Sequence, residues 1–226
     1  MKPDRATLPI FLSNALALAV AAWEQWPLVM LLWPYWCQSV IIGWFARKRI
    51  LALGRYSTAG FTVNGRSVAA TPETQRRVAW FFALHYGLFH LIYALFLCVF
   101  TVITLAAQFA PETVPELPFG GRLQWHDPLL VAGLAVSFWF SHRKSHREHV
   151  AADLARTPNL GTLMFMPYLR VLPMHMTILL GMALGHAGSL LLFGVLKTAA
   201  DVGMHLLEHR WLQRGAQGAP ATPTPP

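Results

Sequence analysis

An all-α bundle that crosses a lipid bilayer several times is the fold class this sequence predicts, and three observations predict it. Of 226 residues, 55% are hydrophobic and only 12% charged. A soluble domain carries about twice that charged fraction, roughly 25%. Mean hydropathy is +0.42, and the apolar residues gather in uncharged runs of the length a membrane helix needs, ~20 residues. The basic residues cluster between those runs, as loops on the cytoplasmic side of a membrane protein do. The formal net charge of +8 therefore reflects topology and does not point to nucleic acid.

Six spans fit the pattern. The first, about 7–23, follows Lys2, Asp4 and Arg5 as the core of a secretory leader would. No clean small-residue cleavage site follows, and Trp23, Glu24 and Trp26 read as an interfacial end, so it is expected to stay uncleaved. The second, about 27–46, stops at Arg47-Lys48-Arg49. A polar segment over 47–77 holds seven Lys or Arg with several Gly and Ser. The third span, about 78–107, exceeds what a bilayer needs and is expected to tilt or protrude. A loop rich in Pro, Gly and Glu, about 110–127, leads to a short fourth span, about 128–141. That span ends in the run His142-Arg143-Lys144-Ser145-His146-Arg147-Glu148-His149. Spans five and six cover about 163–184 and 188–209. Residues 1–212 thus form one membrane domain, and 213–226, rich in Gly, Ala, Pro and Thr, are expected to be a disordered tail. Cys37 and Cys98 both fall inside spans, which argues against a disulfide framework.

Charge placement orients the bundle. With the N-terminus cytoplasmic, the inner segments carry fifteen Lys or Arg and the outer loops one, Arg122. Both termini are therefore expected inside, in a bacterial inner membrane, with Trp23, Trp26, Trp80, Trp125 and Trp211 in interfacial belts. The expected partners are the lipid bilayer and a lipid-like or small-molecule ligand.

Ionisable side chains interrupt three of the spans. At the centre of a membrane helix each costs roughly 2.5 kcal/mol or more, so they normally face a bundle interior and mark a functional site. At about 1.5 Å of rise per residue, His85 of span three, His175 of span five, and Asp201 and His205 of span six reach similar depth in the cytoplasmic half. Lys197, Asp201, His205 and His209 recur every four residues and form one slowly rotating stripe. Such a stripe supports a metal site, a proton relay, or a satisfied polar network that fixes helix register. The metal reading takes His85, His175, Asp201 and His205 as ligands, with zinc first and iron or haem as alternatives. In an enzyme, a metal-bound water would attack a lipid-like ester or amide, and Arg170 or Lys197 would stabilise the anionic charge.

Further features belong to the same picture. Pro173 is expected to kink span five. Gly87 is expected to permit close helix approach. His85 is preferred to His90 because the two diverge by about 140° and His85 has the better depth. His142, His146 and His149 share a helix face that can bind a metal, but the charges among them read as a solvated basic helix on the membrane surface. Met174, Met176 and Met204 beside His175 and His205 offer a thioether–imidazole set suited to Cu(I).

Several strings carry a family resemblance: Trp33-Pro34-Tyr35-Trp36, Val40 to Gly43, His85 to Phe89, Pro167 to Arg170, and Lys197 to Asp201 with His205. Over about residues 8–209 the chain resembles a prokaryotic multi-pass membrane family catalogued as a domain of unknown function. That resemblance implies a multi-pass helical fold and no activity. Where that family carries a carboxylate in span two, this chain has Gln38. The pair His205/His209 is also similar to a motif of seven-span zinc hydrolases. The pairs His85/His90 and His142/His146 are similar to boxes of membrane di-iron enzymes, whose adjacent histidines are absent here.

Overall fold

Every long apolar run among the described residues becomes helix, which satisfies its backbone amides within the run. The structure, a computed structural model, describes the backbone of residues 7–111 and 121–217. Within them, side chains are described except at 7–11, 13, 182, 186 and 205–217. In chain order the elements are α1 (Thr7–Trp23), α2 (Leu28–Leu51), β1 (Thr62–Val63), β2 (Arg66–Ser67), α3 (Pro72–Phe109), α4 (Asp127–Leu154), α5 (Leu160–Phe165) and α6 (Tyr168–Gln217). The fold is all-α but for one short hairpin.

Four stretches are long and apolar enough to cross a membrane: Leu28–Leu51, Pro72–Phe109, Leu160–Gly181 and Ala187–Met204. They match expected spans two, three, five and six. The other two expected spans fall outside this set. Helix α1 has 17 residues, and α4 mixes its apolar first half with the charged second half. Along α3, Trp80, Leu84, Leu88, Leu91 and Leu95 expose 56–68% of their surface. So long an apolar stripe on a protein surface has a natural neighbour in lipid.

Helix α2 is the hub, packing against α3, α4, α5 and α6, while α1 packs on α6. Closeness to α3 is set by Gly43, where a side chain would collide with the Tyr86 ring. Gly87, the expected site of close approach, has open space around it. The core runs through Leu28, Leu32, Phe82, Leu97, Met174 and Phe193.

Two breaks shape the last third of the chain. Pro167 separates α5 from α6, whereas the helical backbone runs on through Pro173, where the kink was expected. Inside α6, Gly185 has φ 67° and ψ −179°, a region open essentially to glycine alone. Ser189 braces this turn, its hydroxyl placed 2.7 Å from the carbonyls of both Gly181 and Gly185. The two arms of α6 correspond to spans five and six.

The basic segment after α2 is ordered by its own chemistry. Asn64 and Gly65, both at positive φ, turn β1 into β2 with Thr62 opposite Ser67, as an Asn-Gly pair favours. Ser57 and Asn159 bridge this segment to the start of α5. At the other end, Gln108 exchanges two hydrogen bonds with the backbone of Leu123, so the described end of the expected outer loop packs on α3.

Candidate functional site

The Gly185 turn brings together side chains far apart in sequence. Arg170 and Asp201 stand fifteen and sixteen residues from it, on opposite arms, which places both roughly 22–24 Å along their helices. Arg170 Nη1 lies 3.4 Å from Asp201 Oδ1. The other carboxylate oxygen, Oδ2, accepts from Lys197 Nζ at 2.7 Å and from Asn14 Nδ2 at 3.1 Å. Lys197 also donates to Asn14 Oδ1 at 2.7 Å, closing a three-membered network between α1 and α6. Arg170, Lys197 and Asp201 were expected to act together, and they are adjacent. Asn14 was not singled out, although apart from Ser13 it is the only strongly polar side chain in the apolar run of α1.

Arg170 also faces outward from this network. It lines a cavity of about 210 Å3 together with Arg49, His142, Ser145, His146 and His149. Ile42, Phe45, Leu163, Met166 and Met204 make its apolar wall. The histidines reach it because the expected surface helix over 142–149 is continuous with the expected fourth span. With no Gly or Pro between Gly133 and Pro158 the helix runs on to Leu154. His142, Ser145, His146 and His149 occupy its half-buried face, while Arg143, Lys144, Arg147 and Glu148 are exposed. The reading of this stretch as a wholly solvated surface helix is therefore corrected for the histidines and holds for the charges. The segments meeting at the cavity are those that charge placement assigns to one side: the end of α2, the second half of α4 and the start of α6.

The electrostatic sign of the cavity follows from its lining. Among the described residues no carboxylate lines it, and two guanidiniums do. Asp153, nearby and buried, is occupied by Arg49 and Arg156. Burial alone would raise its pKa, but those two cations overcome that and hold the carboxyl below the usual carboxylate range. His146 is pushed down from 6.5 by burial, then by Lys48, Arg49 and His149. Even a proton is disfavoured there.

The expected metal ligands do not assemble among the described residues. His85 is exposed and its Nδ1 pairs with the Tyr168 hydroxyl at 2.9 Å. His175 Nδ1 pairs with the Tyr93 hydroxyl at 2.9 Å. Asp201 is taken by two cations and an amide. The described residues contain no group of three or more His, Cys, Asp or Glu able to hold a metal ion, and this includes the triplet on α4. His85, His175 and Asp201, the three expected ligands whose side chains are described, each pair with a residue of another helix. The side chains of His205 and His209, and the tail from 218, lie outside the described residues. The preference for His85 over His90 is also reversed by burial. His90 is the enclosed one, packed on Tyr86 with its Nδ1 2.8 Å from the Tyr86 carbonyl.

The whole bundle, from α1 through α6, has a counterpart in one family model, which matches residues 1–218. The chain belongs to DUF6498, a family of unknown function. No match was found among curated proteins or among solved structures. Membership of DUF6498 bears out the resemblance to an uncharacterised family and leaves activity to be argued from the site.

Proposed function

We propose that this DUF6498 member is a membrane protein that binds an oxyanion, phosphate or carboxylate, in the cavity between α2, α4 and the start of α6. The observation that carries this reading is the lining: Arg49 and Arg170, a hydroxyl and three imidazoles, with no acidic side chain among the described residues. Guanidinium is the group best shaped for paired hydrogen bonds to carboxylate or phosphate. Arg170 Nη1 is buried and has no hydrogen-bond acceptor among the described residues, so it holds a donor in reserve beside the cavity. Leaving such a group unmatched costs more than 1 kcal/mol, which an anionic ligand would relieve.

Size and surroundings narrow the ligand class. A space of about 210 Å3 is below the ~300–1,000 Å3 of sites for drug-sized molecules, so it fits a headgroup or a small anion. The apolar wall of Ile42, Phe45, Leu163, Met166 and Met204 suits the first carbons of an amphiphile. This keeps the expected lipid-like ligand and the anion-stabilising role of Arg170, and it gives Lys197 the different task of fixing Asp201. Zinc, iron and haem gain no support from this donor set, because no three His, Cys, Asp or Glu among the described residues group so as to hold a metal ion.

The test is thermal unfolding of detergent-purified protein titrated with short-chain phosphatidate, with inorganic phosphate, and with the matching uncharged diacylglycerol. A rise in Tm with phosphatidate, absent with diacylglycerol and lost in Arg170→Gln, is the expected result. An equal rise with inorganic phosphate would identify a free anion as the ligand instead of an amphiphile. No rise with either anion, or an equal rise in Arg170→Gln, would overturn the proposal.

A further inference from the structure

The two oxygens of Asp201 are held unequally. Oδ2 is saturated by Lys197 at 2.7 Å and Asn14 at 3.1 Å. Oδ1 has Arg170 at 3.4 Å, beyond the 2.7–2.9 Å of a charge-assisted hydrogen bond. The Arg170 nitrogen involved is also the buried one that lacks an acceptor. The carboxylate is thus anchored by its α1 and α6 partners, and its hold on the guanidinium is the weakest contact it makes. Arg170 in turn is the one member of this cluster that also lines the cavity.

From this geometry we infer that Asp201 is an internal counter-ion that competes with the ligand oxyanion for Arg170. The inference rests on the oxyanion reading above. In the empty state Arg170 leans on Asp201 and stays compensated in a low-dielectric setting, where an unpaired charge is costly. When an oxyanion enters, the guanidinium turns its fork toward it, and Lys197 with Asn14 keeps Asp201 neutralised. Lys197 is therefore the residue that allows the exchange. Without it, Asp201 would have to keep Arg170. The arrangement also links cavity occupancy to α1, because the network that takes over Asp201 is closed by Asn14.

Two substitutions are expected to move affinity in opposite directions, which a purely structural role would not produce. Isothermal titration of the full chain in detergent with short-chain phosphatidate and, separately, with inorganic phosphate is the measurement. Asp201→Asn removes the competitor and is expected to tighten binding on the order of tenfold, within the range common for site coupling. Lys197→Met leaves Arg170 as the sole cation for Asp201 and is expected to weaken binding by a similar factor. Unchanged or weaker binding in Asp201→Asn, with wild type binding normally, overturns this inference and leaves the oxyanion reading standing. Absence of binding in wild type and in Asp201→Asn overturns both. Should Asp201→Asn fail to fold, Lys197→Met decides: a loss at unchanged Tm supports the inference and unchanged affinity overturns it.

Discussion

Two aspartates, the buried Asp153 and the half-buried Asp201, each face two cations, yet the two clusters are built to opposite ends. Asp153 is 2% exposed and closed on every side. Arg49 reaches both of its oxygens, one through Nη2 at 3.0 Å, and Arg156 adds two more contacts at 2.9 and 3.2 Å. Asp201 is 14% exposed, and one oxygen keeps only a long contact to Arg170. The first cluster ties the end of α2 to the end of α4 and has no slack. The second leaves an arginine half-committed at the edge of a cavity. Saturation serves position, and incomplete pairing serves exchange.

The largest effect expected from this contrast falls on the saturated side. Removing one partner of a buried ion pair costs about 3–5 kcal/mol because the other charge is left behind. Asp153→Asn, which strands Arg49 and Arg156, is expected to lower stability by about that amount in chemical or thermal unfolding. Asp201→Asn, at the looser cluster, is expected to cost clearly less. Equal losses would erase the distinction.

A smaller effect tests what brings the open cluster together. Gly185→Ala forces a side chain into φ 67°, ψ −179°, at about 1–3 kcal/mol. Since this turn places Arg170 against Asp201, the variant is expected to weaken phosphatidate binding as well as lower Tm. Gly87→Ala, inside a helix with open space at that position, is the matched control: it is expected to leave binding unchanged and to raise Tm slightly, since alanine favours a helix interior over glycine by about 0.5–1 kcal/mol.

The smallest effect is on pH. His146 has a depressed pKa when folded, so the unfolded chain takes up protons first, and stability is expected to fall as pH drops below about 6.5. Asp153 also has a depressed folded pKa. Its contribution is complete above the ordinary value of 3.8 and is lost as pH falls through the folded value. A Tm-against-pH profile should show two descending stages, and His146→Gln should remove part of the upper one.

How far the sequence discloses this depends on the range of the interaction. Helices and their ends are local properties, so the apolar runs anticipate α2, α3 and both arms of α6 to within a few residues. The turn near 185–187 and the i, i+4 pairing of Lys197 with Asp201 are equally local. The register of one helix against another is not. His85 and His175 were read as sharing an ion because they have similar depth, but depth says nothing about rotation, and each turned to a tyrosine of a neighbouring helix. Arg49 and Asp153 are 104 residues apart, and no spacing rule connects them. The Asn64-Gly65 hairpin was legible in its dipeptide, and the continuation of α4 in the absence of any helix breaker. The hairpin signal was outweighed by the charge of its surroundings, whereas the histidine run was already read as a helix.

One contact has a consequence for how the chain is made. Asn14 donates to Asp201 across 187 residues. At synthesis rates of ~5–20 residues per second, the partner of this amide emerges roughly 10–40 s after the amide itself. Until the second arm of α6 is made, the Asn14 amide of α1 has neither Lys197 nor Asp201 to pair with. A chain that stops before Lys197 leaves that amide unmatched, a local mark by which an unfinished molecule differs from a finished one.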